Sequence, residues 1–293
     1  MKLFQVSGPD GAERLGVWTD GPHVLDARHD GVQTVLDLLV AVSEGDLDPS
    51  AWVESARDAG RLRSVRWDGL ARTEGERLAC PVTPPEVWGA GVTYRRSADF
   101  REEGTGIYDR VYVAERPELF FKATASRCAA PFAAIGRRRD SVFTATEPEL
   151  AVVLDHEGAI LGYTLANDVS AWDIERDNPL YLPQSKVYDR CFSFGPVIVT
   201  AEEIADPYAL TLRCRVRRGE KEVFVGEAST AQLKRRFEQL AAWLLRSNPI
   251  PTGTVLSTGT GIIQPMDVGL EEGDVVEISC PEIGTLSNPV ALV

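Results

Sequence analysis

Apolar residues in this chain gather mostly in short runs rather than in long periodic stretches. ELAVVL, ILGYTLAN, GPVIVT, ALTLRCRV, KEVFVGE and DVVEISC are rich in β-branched residues and are bounded by turn formers. Runs of that length and composition predict strands. Helical spacing is confined to three places. VQTVLDLLVAV (32–42) repeats apolar residues at helical intervals, and SAWVESARDAG (50–60) ends in a glycine of the kind that closes helices. TAQLKRRFEQLAAWLLRS (230–247) aligns Leu233, Phe237, Leu240 and Leu244 in one stripe, with Ser229 and Gln232 at capping-box spacing. The pattern predicts a single helix there, with Lys and Arg facing outward. Between the early helices and the strand-rich remainder, residues 61–86 are polar, Arg-rich and end in Pro84-Pro85. That stretch reads as the passage between two units. The expected organisation is a small N-terminal α+β domain over 1–70 and a larger domain over 84–293.

Composition narrows the class. The 293 residues are 44% hydrophobic and 26% charged, as in an ordinary globule, and the net charge is −13. Nucleic acids and anionic membranes both select basic surfaces, so neither is an expected partner. No segment approaches the ~20 apolar residues of a membrane helix, and the N-terminus lacks a signal-peptide core, so the expected location is the cytoplasm. Cys80, Cys128, Cys191, Cys214 and Cys280 are scattered without a CxxC pair and read as reduced, mostly buried thiols. His23, His29 and His156 have no zinc-binding spacing, and His156 sits in DHEG, a hairpin turn. TGTG (258–261) lacks the Lys-Ser/Thr of a P-loop, and neither GxSxG nor GxGxxG occurs.

The chemistry enters with TATEPELAVVL (144–154). Glu147 and Glu149 are two apart, so in an extended segment both carboxylates leave the same face. Like charges held close are unfavourable unless a cation joins them. An exposed pair at a frayed strand end is the alternative. A third acid changes the balance. A hairpin turning at Asp155–Gly158 pairs position i with roughly 313 − i, which sets Glu147 opposite Ala166 and Asp168 one step diagonally away. Three carboxylates then converge at one end of the ribbon. With oxygen donors alone, Mg²⁺ (or Mn²⁺) suits such a site better than zinc.

The order ExE, hairpin, NDVSAWD, Lys186, GPVIVT, STGT, GDVVEIS and IGTLSNPV resembles the catalytic domain of the fumarylacetoacetate hydrolase family over about 84–293. The resemblance implies an α+β protein: a mixed, mostly antiparallel β-roll with a metal at its open end, preceded by the small N-terminal domain. It implies a chelating 2-keto acid substrate and a homodimer or homotetramer. RPELFFKA, NDVSAWDIERDNPLYLPQSKVYD and CFSFGPVIVT resemble the family's dehydratase subgroup. That implies Mg-dependent loss of water from 2-keto-3-deoxy-D-arabinonate, giving 2,5-dioxopentanoate. Residue by residue, the resemblance makes Glu147, Glu149 and Asp168 metal ligands and Glu118 and Lys186 the acid/base pair. Arg95, Lys122, Thr258 and Thr260 are the expected substrate contacts. The 31 basic residues include only five lysines, so a Lys inside a motif points to a titratable amine that Arg would not supply. Two departures matter. Ser97 stands where hydrolytic members carry a water-activating His, and Trp172 stands in place of the Arg of SARD. Both turn the expectation from hydrolysis toward elimination; acylpyruvate hydrolysis or oxaloacetate-type decarboxylation is the alternative.

Overall fold

The computed structural model describes residues 1–71, 75–95 and 106–293. Two strands, Pro148–Leu154 and Phe192–Thr200, are buried at every position. Their near-continuous apolar sequences anticipate this, because a strand covered on both faces has no polar side to alternate with. Both lie inside a twelve-stranded sheet. Its main path runs through strands 62–64, 22–25, 13–18, 2–7, 192–200, 160–168, 148–154, 254–257, 87–91 and 118–123. A second sheet of five strands runs 221–229, 211–218, 275–280, 284–292 and 135–137. There Leu212, Cys214 and Val216 point inward while Arg213, Arg215 and Arg217 face solvent, the alternation of a half-buried strand.

Leu212, Cys214, Val216, Ile278 and Leu286 of the smaller sheet share one apolar cluster with Leu150, Val152 and Leu165 of the larger. The other face of the large sheet, through Ala151, Val153 and Ile198, shares a second cluster with Val35, Leu38, Trp52 and Val53. Among the described strands, pairing is antiparallel except at 192–193 with 128–129, 255–257 with 87–89, and 290–292 with 135–137. The fold is therefore α+β and mostly antiparallel, as expected.

The helices Val35–Ser43 and Pro49–Asp58 form where the spacing placed them. Thr34 and Asp37 cap the first reciprocally; Asp48 caps the second, with Pro49 leading it. The strand Lys2–Ser7 pairs with Phe192–Thr200, so the N-terminal strands extend the large sheet. The 61–86 passage carries structure of its own. Leu62–Ser64 pairs with Pro22–Leu25, Arg77–Leu78 pairs with Lys2–Ser7, and Trp67 packs edge-on against Phe4 and Trp18.

The 230–247 segment departs from the single helix its stripe predicts. Ser229 caps one 3-10 turn at Thr230–Gln232, and the α-helix covers only Phe237–Leu244. Between them Leu233 bridges to Tyr94, and the Lys234 amide donates to the Thr93 carbonyl. Pairing with the backbone at 93–94 outweighs helix propensity over that stretch.

Candidate metal centre

The hairpin that carries the acids turns one residue later than expected and contains a bulge. The Asp155 amide donates to the Ala159 carbonyl, and the register shifts between Val153 and Leu154. Together these move the pairing by two residues, to Pro148↔Asn167 and Glu149↔Ala166. The Asp168 amide consequently donates to the Glu147 carbonyl at 3.0 Å, so these residues lie opposite rather than diagonal. A shift of two preserves which face each side chain occupies, and so the expected convergence survives.

Glu147, Glu149 and Asp168 each offer a carboxylate oxygen within 4.8 Å of the others, and all three are buried. Two amines reach the cluster. Lys186 Nζ donates to Glu147 Oε2 at 3.1 Å, Asp168 Oδ2 at 2.9 Å and Ser170 Oγ at 2.7 Å. Lys122, fully buried, lies 2.7 Å from Asp168 Oδ1 and donates to the carbonyls of Val169 and Lys186 at 2.9 and 2.6 Å. Asp168 is thus held by an ammonium on each oxygen.

Glu149 is different: among the described residues no cation pairs with it. It accepts from Ser257 Oγ at 2.5 Å and from the Gly259 amide at 2.7 Å. Burial, reinforced by the charges of Asp168 and Glu147, pushes its carboxyl up to about 8. Three buried carboxylates that meet two ammoniums among the described residues, with only oxygen donors, fit a hard divalent cation.

The Gly259 amide reaches Glu149 because the residue adopts φ of +94°, where a Cβ would collide with Thr93 and the Ala90 carbonyl. Gly259→Ala is expected to lower the melting temperature and weaken metal binding together. Strain of this kind costs roughly 1–3 kcal/mol, readable in thermal melts with and without added metal.

Beside the carboxylates lies a small cavity of about 10 Å³, lined among others by Glu118, Phe120, Glu147, Asp168, Glu175, Lys186 and Thr260. Glu118 and Lys186, the expected acid/base pair, therefore share it. Glu118 lies on the strand paired with Val87–Gly91, directly across from Gly91, where a side chain would overlap its carboxylate. The expected substrate contacts are less uniform. Thr260 lines the cavity while donating to the Pro148 carbonyl. Thr258 is fully buried, with its hydroxyl on the Leu150 carbonyl. Lys122 sits behind Asp168, and Arg95 is exposed, paired with Asp109 at 3.1 Å. Ser97 falls outside the described residues.

Two residues gain importance only in the structure. Glu175 is 7% exposed, and its Oε2 has no hydrogen-bond partner among the described residues; Tyr108 donates to Oε1 at 3.4 Å. Nothing in the sequence singled it out. Trp172, visible as a departure from SARD, donates its indole N–H to Glu147 Oε1 at 2.5 Å.

This strand-rich α+β fold is matched by known proteins. The family model for the fumarylacetoacetate (FAA) hydrolase C-terminal domain covers residues 86–291, and the chain belongs to this family. It is 50% identical over 221 residues to the 2-dehydro-3-deoxy-D-arabinonate dehydratase of Saccharolobus solfataricus, covering 73% of this chain and 74% of that protein. It is 45% identical over 216 residues to a probable 2-keto-3-deoxyxylonate dehydratase of Haloferax volcanii, with 73% and 74% covered. A solved 2-keto-3-deoxy-D-arabinonate dehydratase, complexed with magnesium and 2,5-dioxopentanoate, superimposes with a TM-score of 0.85 at 41% identity, spanning 100% of this chain and 99% of that one.

Proposed function

We propose that this chain is a magnesium-dependent hydro-lyase that converts 2-keto-3-deoxy-D-arabinonate into 2,5-dioxopentanoate in pentose oxidation. The observation that carries the reading is one cavity lined by Glu118, Lys186, Glu147 and Asp168, with the carboxylate of Glu149 within 4.8 Å of the other two acids. The similarity to dehydratases named for this substrate supports it. Residues 84–293 carry the chemistry in this reading, with 1–70 as a small N-terminal domain. A homodimer or homotetramer in the cytoplasm completes it.

Glu147, Glu149 and Asp168 would hold Mg²⁺, with Mn²⁺ able to replace it. When bound, the cation supplies Lewis-acid stabilisation for negative charge developing on the C2 oxygen of a keto acid. The protein's own groups move the protons. Of Glu118 and Lys186, one takes the C3 proton and the other protonates the hydroxyl departing from C4, leaving a C3=C4 double bond. The same pair then moves a proton from C5 to C3. The resulting C4=C5 enol ketonises to the C5 aldehyde with no further atoms gained or lost, so the reaction asks for no activated water. Thr260 contacts the acid end of the substrate, with Thr258 fixing the loop beneath. Lys122 acts by holding Asp168, and Arg95 meets the substrate's anion from the exposed side. A buried acceptor without a partner costs about 1–3 kcal/mol, so Glu175 Oε2 gains by accepting a hydroxyl of the sugar chain.

The test offers the protein, with Mg²⁺, a 2-keto-3-deoxy-D-pentonate and an acylpyruvate in parallel. Formation of 2,5-dioxopentanoate with the acylpyruvate essentially untouched is the expected result. Faster cleavage of the acylpyruvate overturns the assignment in favour of hydrolysis.

A further inference from the structure

The ribbon formed by Thr144–Ala145 and Ser170–Ala171 sends Glu147 off one arm and Trp172 off the other, through the register Thr144↔Ala171 and Ala145↔Ser170. Trp172 then opens the helix Trp172–Asp177. The helix start is tied down at its next residue, where the Asp173 carboxylate accepts from Ser141 Oγ at 2.6 Å and from the Val142 amide at 2.8 Å. The indole is 2% exposed and stacks on Phe143 at 5.8 Å and 28°, in a small apolar cluster with Ala145 and Ile263. A ring fixed by its own backbone, by stacking and by close packing aims its N–H with little freedom to move.

That N–H meets Glu147 Oε1 at 2.5 Å, while Lys186 takes Oε2 at 3.1 Å. Two donors on different oxygens fix the rotation of the carboxylate about its last bond. One of them is charged and the other neutral, and the difference matters. Lys122 and Lys186 already bring two ammoniums to the cluster. A guanidinium at position 172 would add a further positive charge beside a site meant for a divalent cation, and at such separations like charges repel strongly in a low-dielectric interior. An indole orients the same carboxylate without that repulsion.

We propose that Trp172 is a positioning residue for metal binding: its neutral indole N–H holds Glu147 in the ligating orientation. The inference rests on the metal reading above, and its test reads metal affinity rather than turnover. Trp172→Phe keeps an aromatic ring on Phe143 and removes only the N–H. Phe143→Leu loosens the stack and keeps the N–H. Free Mn²⁺ is measured by electron paramagnetic resonance during titration of the metal-stripped proteins.

Loss of a bond that orients a ligand typically weakens metal binding 10–100-fold, so Trp172→Phe is expected to raise the Mn²⁺ dissociation constant by roughly tenfold or more. Phe143→Leu should stay within about threefold of wild type, and Trp172→Arg should bind more weakly than Trp172→Phe. Wild-type affinity in Trp172→Phe overturns the inference, as does an equal loss in Phe143→Leu, which would assign the effect to packing. Wild-type protein that fails to bind Mn²⁺ sinks the metal reading itself, an outcome separate from either.

Discussion

Glu149→Gln is expected to abolish metal-dependent turnover and, in metal-free protein, to raise the melting temperature. Most ligand substitutions are not expected to stabilise. Glu149 differs because burial and the neighbouring charges of Asp168 and Glu147 push its carboxyl from 4.5 up to about 8, with no cation against it among the described residues. In metal-free protein the folded state therefore binds this proton more tightly than the unfolded state does. As pH rises above 4.5 the folded form retains a proton that the unfolded form has released, and stability falls until about 8. A glutamine has no charge to suppress. Its advantage over wild type should be absent below the ordinary carboxyl range, grow through that window and level off above it. Melting curves of metal-free wild type and Glu149→Gln from pH 4 to 9 check this, and parallel pH dependences would contradict it. Asp168→Asn should behave in the opposite way. Asp168 is the anion for both Lys122 and Lys186, and removing one partner of a buried pair costs about 3–5 kcal/mol.

Lys186→Met should separate chemistry from metal binding. Methionine has similar length and packs against Phe120, over whose ring the ammonium now lies at 5.1 Å. It carries no proton, so the acid/base pair is reduced to Glu118, and kcat should fall by roughly 10²–10⁴. Metal affinity should fall far less, because the lost donor on Glu147 Oε2 is offset by the charge that leaves with it. The ammonium sits 3.1 and 2.9 Å from two of the carboxylates, and its removal makes the cluster more negative toward a cation. Mn²⁺ titration beside steady-state kinetics checks both halves. The pH profile of the variant should also lose one of its two limbs. A kcat within threefold of wild type would remove Lys186 from the proton-transfer pair.

Much of the centre was legible because its signals are local. Side chains two apart on a strand share a face whatever the rest of the chain does, so Glu147 and Glu149 could be paired from sequence. Their meeting with Asp168 followed from a hairpin, itself a local object, and survived the bulge because two one-residue shifts keep each residue on its original face. The central strands were legible as apolar runs and the first two helices as periodic, well-capped segments. The 230–247 stripe misled because periodicity reports a segment's preference, whereas the backbone at 93–94 competes for the same amides.

The sequence by itself determined the class of fold and which three carboxylates converge, since these depend on residue type and on neighbours along the chain. Tertiary structure assigned the charges. It placed Lys122, from a distant strand, behind Asp168 and left Glu149 without a counter-ion among the described residues. It also made Glu175, which nothing in the sequence singled out, a buried carboxylate facing the cavity, and turned Trp172 from a missing arginine into the donor that holds Glu147. The physical reason is that burial and pairing are properties of space. A carboxylate's role is set by which charges and donors lie within a few ångströms, and those neighbours come from strands and helices whose approach depends on the packing of the whole chain.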